Sequence, residues 1–176
     1  LATRLRPFDF EHEGFDAAIH FGDETWPNAG FMKLFDERLV ATCAPDFLAK
    51  HPVRAANDLL TIPLLQLETR PLAWQTWFAQ HGVTGKLPYG MLFDQFAPMI
   101  QSAISGLGVA LLPEFLAKGE LADGRLVAIW GDPTPGDGSY FLVWPRAAEN
   151  YPPLQAFREW LAEEAADPDR TANLPG

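Results

Sequence analysis

The chain has 176 residues and a mass of 19.5 kDa; 48 % of its residues are hydrophobic and 20 % charged, a balance that suits a globular protein with its own core. Thirteen Lys and Arg stand against 23 Asp and Glu, for a net charge of −10, which excludes non-specific holding of a polyphosphate backbone by these residues. A single cysteine, Cys43, excludes an internal disulfide framework and a Cys-rich zinc module, and no apolar run is long enough for a membrane-spanning helix.

The opening LATRLRPFDF has no initiator Met and no charged-then-apolar leader pattern, and is expected to begin inside a strand of a longer chain. Predicted strands follow at Phe15–Phe21, Arg38–Ala44, Leu64–Leu67, Tyr89–Phe93, Val109–Leu112, Leu126–Trp130 and Tyr140–Trp144. Each is apolar on both faces, which implies helices on both sides of a mostly parallel sheet, an α/β architecture. Predicted helices alternate with them. Leu72–Gln80 carries Trp74, Trp77 and Phe78 and ends at His81-Gly82. In Gln95–Ser105 the residues Phe96, Met99, Ile100, Ala103 and Ile104 repeat at helical spacing, with Asp94 as the expected N-cap and Gly106 as the stop. A last helix, entered through Pro152-Pro153, is expected to bury Leu154, Phe157, Leu161 and Ala165. Gly131–Ser139, rich in Gly and Pro, is expected to be a loop or a connection between lobes, and a second break falls near Asp36–Glu37. Residues 168–176 have little to bury and are expected to fray.

Sequence motifs for catalysis are lacking. There is no G-x-S-x-G, no H-E-x-x-H and no clustered Cys and His, and Gly106-Leu107-Gly108 follows a helix and precedes a strand, the reverse of the phosphate-binding order. Three strand ends are more informative, because ligands in open α/β sheets lie beyond the carboxyl ends of strands. His20, Phe21 and Gly22 close the first strand; His20 is either a polar contact in a cleft or a partly exposed histidine. Thr69 and Arg70 stand between a strand and a helix, as an anion site or as a helix cap with a surface arginine. Phe93 and Asp94 form the third junction, where simple capping by Asp94 is the plainer reading.

Taken together, FDAAIHFG (Phe15–Gly22), LFDERLVATCAPDFL (Leu34–Leu48), FDQFAPMIQSAISGLGVALLP (Phe93–Pro113) and GRLVAIW…YFLVWP ending at Pro145 resemble the effector-binding domain of a LysR-type transcriptional regulator. RPLAWQTWFAQHGV (Arg70–Val83) extends the resemblance over nearly the whole chain, and Thr25–Pro27 with Trp74–Trp77 is similar to the branch of the glycine-cleavage activator and the β-lactamase regulator. The resemblance implies two Rossmann-like α/β lobes joined by two crossover strands, as in type II periplasmic binding proteins. Lobe I would hold residues 1–37 and 140–167, lacking its first strand and helix, and lobe II residues 38–139. It further implies a small anionic or amino-acid-like effector between the lobes, lined by Leu5, Arg6, His20, Phe21, Gly22, Thr69, Arg70, Trp74, Phe93 and Asp94. Arg70 and Arg6 would hold its carboxylate, with Trp74 and Phe93 as apolar walls; where His20 stands, many members have an arginine. No catalysis, metal or cofactor is implied. The expected partners are the effector and further copies of the chain in a homodimer or tetramer, with Trp26 and Phe31 as exposed-looking aromatics. DNA would be met only through a winged helix-turn-helix domain outside these residues, there is no membrane partner, and the expected location is the cytoplasm. The alternatives are an exported solute-binding protein of the same architecture and an α/β enzyme with Asp94 and His20 as its acid–base pair.

Overall fold

Two long strands carry the chain from one folded unit to the other. They are β2 (Ala29–Cys43) and β7 (Thr134–Pro145) in a computed structural model that describes residues 2–4, 8–88 and 90–166. The first unit takes the chain up to Asp36 and from Gly138 onward; the second is Glu37–Asp137.

In the second unit the sheet order is β2, β5 (Val109–Pro113), β3 (Leu64–Leu67), β4 (Leu92–Phe93), with β6 (Val127–Ala128) paired to β2. Successive strand residues point to opposite faces, so the unbroken apolar runs supply two cores. Leu39, Ala41, Cys43, Leu64, Val109 and Leu111 face Trp74, Trp77 and Phe78 of α3 (Ala73–Gln80) and Phe47 of α2 (Pro45–Lys50). Val40, Leu65, Leu67, Ala110 and Leu112 face Met99, Ile100 and Ala103 of α4 (Phe96–Ile104) and Ala117 of α5 (Glu114–Ala122). This is the expected three-layer α/β arrangement. The expected strand direction needs correction. Among the described residues β3 pairs in parallel with β4 and β5, whereas β2 runs antiparallel to β5 and β6, and β1 (Ala18–Gly22) antiparallel to β7. Apolarity on both faces reports cover by helices, and strands of either direction share it.

Two local expectations also change. The N-cap of α4 is Gln95, with no side-chain cap, and Asp94 is left exposed; Gly106, at φ 74°, does end that helix region as expected. Of the two readings of Gly131–Ser139, the connection holds and the loop does not: the stretch is extended from Thr134 onward as the start of β7, and the chain passes from one unit to the other between Asp137 and Gly138. Its glycines serve close approach. A Cβ at Gly136 would collide with the Glu37 carboxylate, and one at Gly138 would lie 2.8 Å from the Phe21 ring.

The first unit places β7 between β1 and β2 and adds α1 (Phe10–Glu13) and α6 (Pro152–Ala166). Phe10, Phe141 and Val143 pack with Phe8, Phe15, Trp26 and Phe31, so the last two are half-buried core residues and not the exposed aromatics expected of an oligomer surface. On α6, Leu154 is buried and Leu161 half-buried as expected, whereas Phe157 stays exposed beside the exposed Trp160. Trp144 anchors this helix: its Nε1 donates to Glu149 Oε2 at 2.7 Å, and Arg158 lies 3.9 Å over its ring and donates to Glu149 Oε1 at 3.0 Å.

Those two donors, Trp144 first and Arg158 second, hold the Glu149 carboxyl below its ordinary value of 4.5. A depressed acid stabilises the fold above its unfolded value, and that contribution is lost as pH falls through the folded one. Melting temperature is therefore expected to fall between about pH 5 and pH 3 in part through Glu149. The Glu149→Gln variant should show a shallower fall than the parent chain, and identical acid profiles for the two would contradict this. Among the described residues, no helix is long and apolar enough to cross a membrane, and no group of three or more His, Cys, Asp and Glu could hold a metal ion.

Candidate functional site

Residues 37, 39, 41 and 43 of β2 share one face by strand alternation, and three of them are Leu, Ala and Cys in the core. The fourth is Glu37, an acid on an apolar face, 3 % exposed. A charge that deep needs a partner. It has one in Arg70, whose Nη2 donates to Glu37 Oε1 at 3.2 Å, the two side chains being 17 % and 2 % exposed.

Arg70 is held by the turn that links β3 to α3. Its N–H donates to Leu67 O at 3.0 Å and its carbonyl accepts from Ala73 N–H at 3.1 Å. Its guanidinium carbon lies 6.0 Å from the centre of the Phe96 ring. Behind it, the indole of Trp74 is buried, and its Nε1 donates to Leu65 O at 2.9 Å, which ties the first turn of α3 to β3. The same helix reaches the second crossover strand, where Thr76 Oγ1 donates to Asp137 Oδ2 at 3.1 Å and Gln80 Nε2 to Pro135 O at 3.0 Å.

Glu37, Arg70, Trp74, Leu65, Phe96 and Met99 are among the residues around a cavity of about 20 Å³, room for about one water. Metabolite pockets are more than tenfold larger, at about 300 Å³ and upward. With Glu37 in place the cavity has room for no more than a water, and what it offers chemically is a charge pair, Glu37 buried and Arg70 half-buried, within an apolar wall.

The remaining sequence-predicted residues fall as follows. Thr69 is exposed next to Arg70, Phe93 is half-buried against the α4 core, and Asp94 is exposed. In the first unit His20, Phe21 and Gly22 end β1. The His20 ring stands 5.3 Å from Trp26, edge to face, and Phe21 stands 5.1 Å from Tyr140. Leu5 and Arg6 lie outside the described residues. Thr69, Arg70 and Trp74 are thus brought together, with Phe96 of α4 in reach of the arginine, while Asp94 and His20 sit in different units. Cys43, the one thiol, is pushed up to about 11 by burial, which makes it a core residue and not a nucleophile. Glu37 is absent from the residues the sequence singles out because Asp36–Glu37 reads as a break between lobes; the signal that points to it is its parity with Leu39, Ala41 and Cys43.

The family model of the LysR substrate binding domain matches residues 2–166. The HTH-type transcriptional regulator TrpI of Pseudomonas aeruginosa is 34 % identical over 173 residues, which cover 94 % of this chain and 57 % of that protein. The glycine cleavage system transcriptional activator of Escherichia coli is 33 % identical over 153 residues, 86 % of this chain and 50 % of its own length. Among solved structures, the effector domain of the transcriptional regulator AmpR of Pseudomonas aeruginosa matches with a TM-score of 0.85 at 30 % identity, covering 97 % of this chain and 82 % of that one. The chain spans about half the length of the curated relatives it matches. The branch suggested by Thr25–Pro27 and Trp74–Trp77 is represented among these relatives, and the two-lobe fold of periplasmic-binding-protein type is the fold of the structural neighbours. With its family model matched from residue 2 to residue 166, the chain belongs to the LysR substrate-binding domain family.

Proposed function

We propose that this chain is the effector-sensing part of a LysR-type transcriptional regulator and performs no catalysis of its own. The observation that carries the reading is the likeness over 97 % of the chain to an effector domain at a TM-score of 0.85. The net charge of −10 supports leaving DNA contact to a winged helix-turn-helix outside these residues. The lobes are proposed as residues 1–37 with 140–167 and residues 38–139, in a regulator that assembles as a homodimer or tetramer in the cytoplasm.

The effector is proposed to be small and anionic or amino-acid-like. Arg70 is its charge contact, Thr69 its exposed hydroxyl neighbour, and Trp74 supports Arg70 from behind. Phe93 and Asp94 contribute from the β4–α4 junction, and His20, Phe21 and Gly22, with Leu5 and Arg6, from the first unit. The relatives named as regulators favour this reading over an exported solute-binding protein or an enzyme.

A thermal-shift screen of the chain against carboxylates, amino acids and phosphorylated metabolites tests it. A ligand at a hundred times its dissociation constant adds about 2.7 kcal/mol, a shift of several degrees. A saturable anionic ligand is the expected outcome. A flat screen of folded protein, or hits confined to neutral and cationic compounds, would overturn the anionic-effector reading.

A further inference from the structure

The buried pairing of Arg70 with Glu37 bears on how an anion could be bound at all. An arginine whose positive charge faces a carboxylate at 3.2 Å presents little net charge to an incoming anion. Glu37 is also the residue with which the second unit begins, and its neighbour across β7 is Gly136, where no side chain fits beside the carboxylate. One acid is thus shared between an anion-binding side chain and the strand by which the chain enters this unit.

We infer that Glu37 is a built-in occupant of the anion seat at Arg70, so that an effector carboxylate or phosphate binds by exchange with the Glu37 carboxylate. This rests on the reading of Arg70 as the effector's charge contact and adds the residue that sets its affinity. Exchange makes Glu37 a specificity determinant. A weak or diffuse anion does not repay the loss of a buried ion pair, so only a ligand with further contacts displaces it. Exchange also gives binding a mechanical consequence. Once displaced, Glu37 no longer ties β2 to the β3–α3 turn, and the change starts where the chain crosses between units.

The test uses Glu37→Gln, which keeps the shape and a hydrogen-bond acceptor but removes the competing charge. Succinate, benzoate and inorganic phosphate are titrated into the 176-residue chain, with benzamide as a neutral control, and folding of each variant is confirmed by circular dichroism. The Glu37→Gln chain is expected to bind at least one of these anions tenfold or more tighter than the parent, with benzamide unchanged. Glu37→Ala is expected to do the same, so the result does not hang on one variant. The gain should vanish in the Arg70→Gln/Glu37→Gln double variant. Equal affinities of the parent and the Glu37 variants, both abolished in the double variant, would overturn the exchange while leaving Arg70 as the contact. Anion binding that ignores Arg70, or no anion binding in any of the chains, would overturn both.

Discussion

Arg70→Gln alone is expected to lower the unfolding free energy by about 1–3 kcal/mol, because it removes the charge-assisted hydrogen bond that the buried Glu37 carboxylate accepts from Arg70 Nη2 at 3.2 Å. Against a total stability of about 5–15 kcal/mol, such a loss is visible in any urea titration. The Arg70→Gln/Glu37→Gln double variant replaces the pair by neutral groups of similar size and should recover most of the loss. A loss below about 1 kcal/mol in the single variant, or a double variant no more stable than the single one, would show that the pair is not coupled.

Trp74→Ala should cost about 3–5 kcal/mol, the usual range for deleting a buried aromatic. Trp74 packs against Trp77 and Phe78, with ring centres 5.7 Å and 5.9 Å away, and borders a cavity that already has room for about one water. Removing the indole enlarges that cavity and leaves the Leu65 carbonyl without the Nε1–H donor. Trp74→Phe separates these two effects. It keeps much of the ring contact, loses the hydrogen bond and gives up a smaller volume than alanine does, so it should cost about 1–3 kcal/mol. Equal losses for the two variants, measured by urea unfolding followed by circular dichroism, would mean that the hydrogen bond and not the packing holds α3 to β3.

Much of this architecture is legible in the sequence, for a definite reason. The three-layer unit depends on runs such as Val109–Leu112 and on the helical spacing from Phe96 to Ile104, and both signals are local. Strand direction is not local. Nothing in the composition of β2 or β7 says that each enters one unit from the other and so runs against its neighbours. Gly and Pro in 131–139 read as a loop or a connection between lobes because they are poor in sheets, yet Gly136 and Gly138 are strand positions at which Glu37 and Phe21 lie close to the backbone.

The candidate site divides in the same way. Arg70 could be singled out because a strand end, a helix start and a cation fall within a few residues. Its partner is 33 residues away in sequence, and spacing alone does not reveal the pair. The resemblance makes Trp74 an apolar wall of the effector site; its burial and its bond to Leu65 O follow from the packing of α3 on β3. Phe157 shows the converse limit, since helical periodicity gave it a place in the core of α6 that the first unit does not fill.

Calorimetric titration of the strongest ligand from the thermal-shift screen decides whether an anion is held through Arg70, as proposed. Parallel titrations use the parent chain and the Arg70→Gln/Glu37→Gln double variant, in which both members of the pair are neutral. One saturable site is expected in the parent, with at least tenfold weaker binding in the double variant, a difference of about 1.4 kcal/mol or more. Equal affinity in the two chains would contradict that proposal.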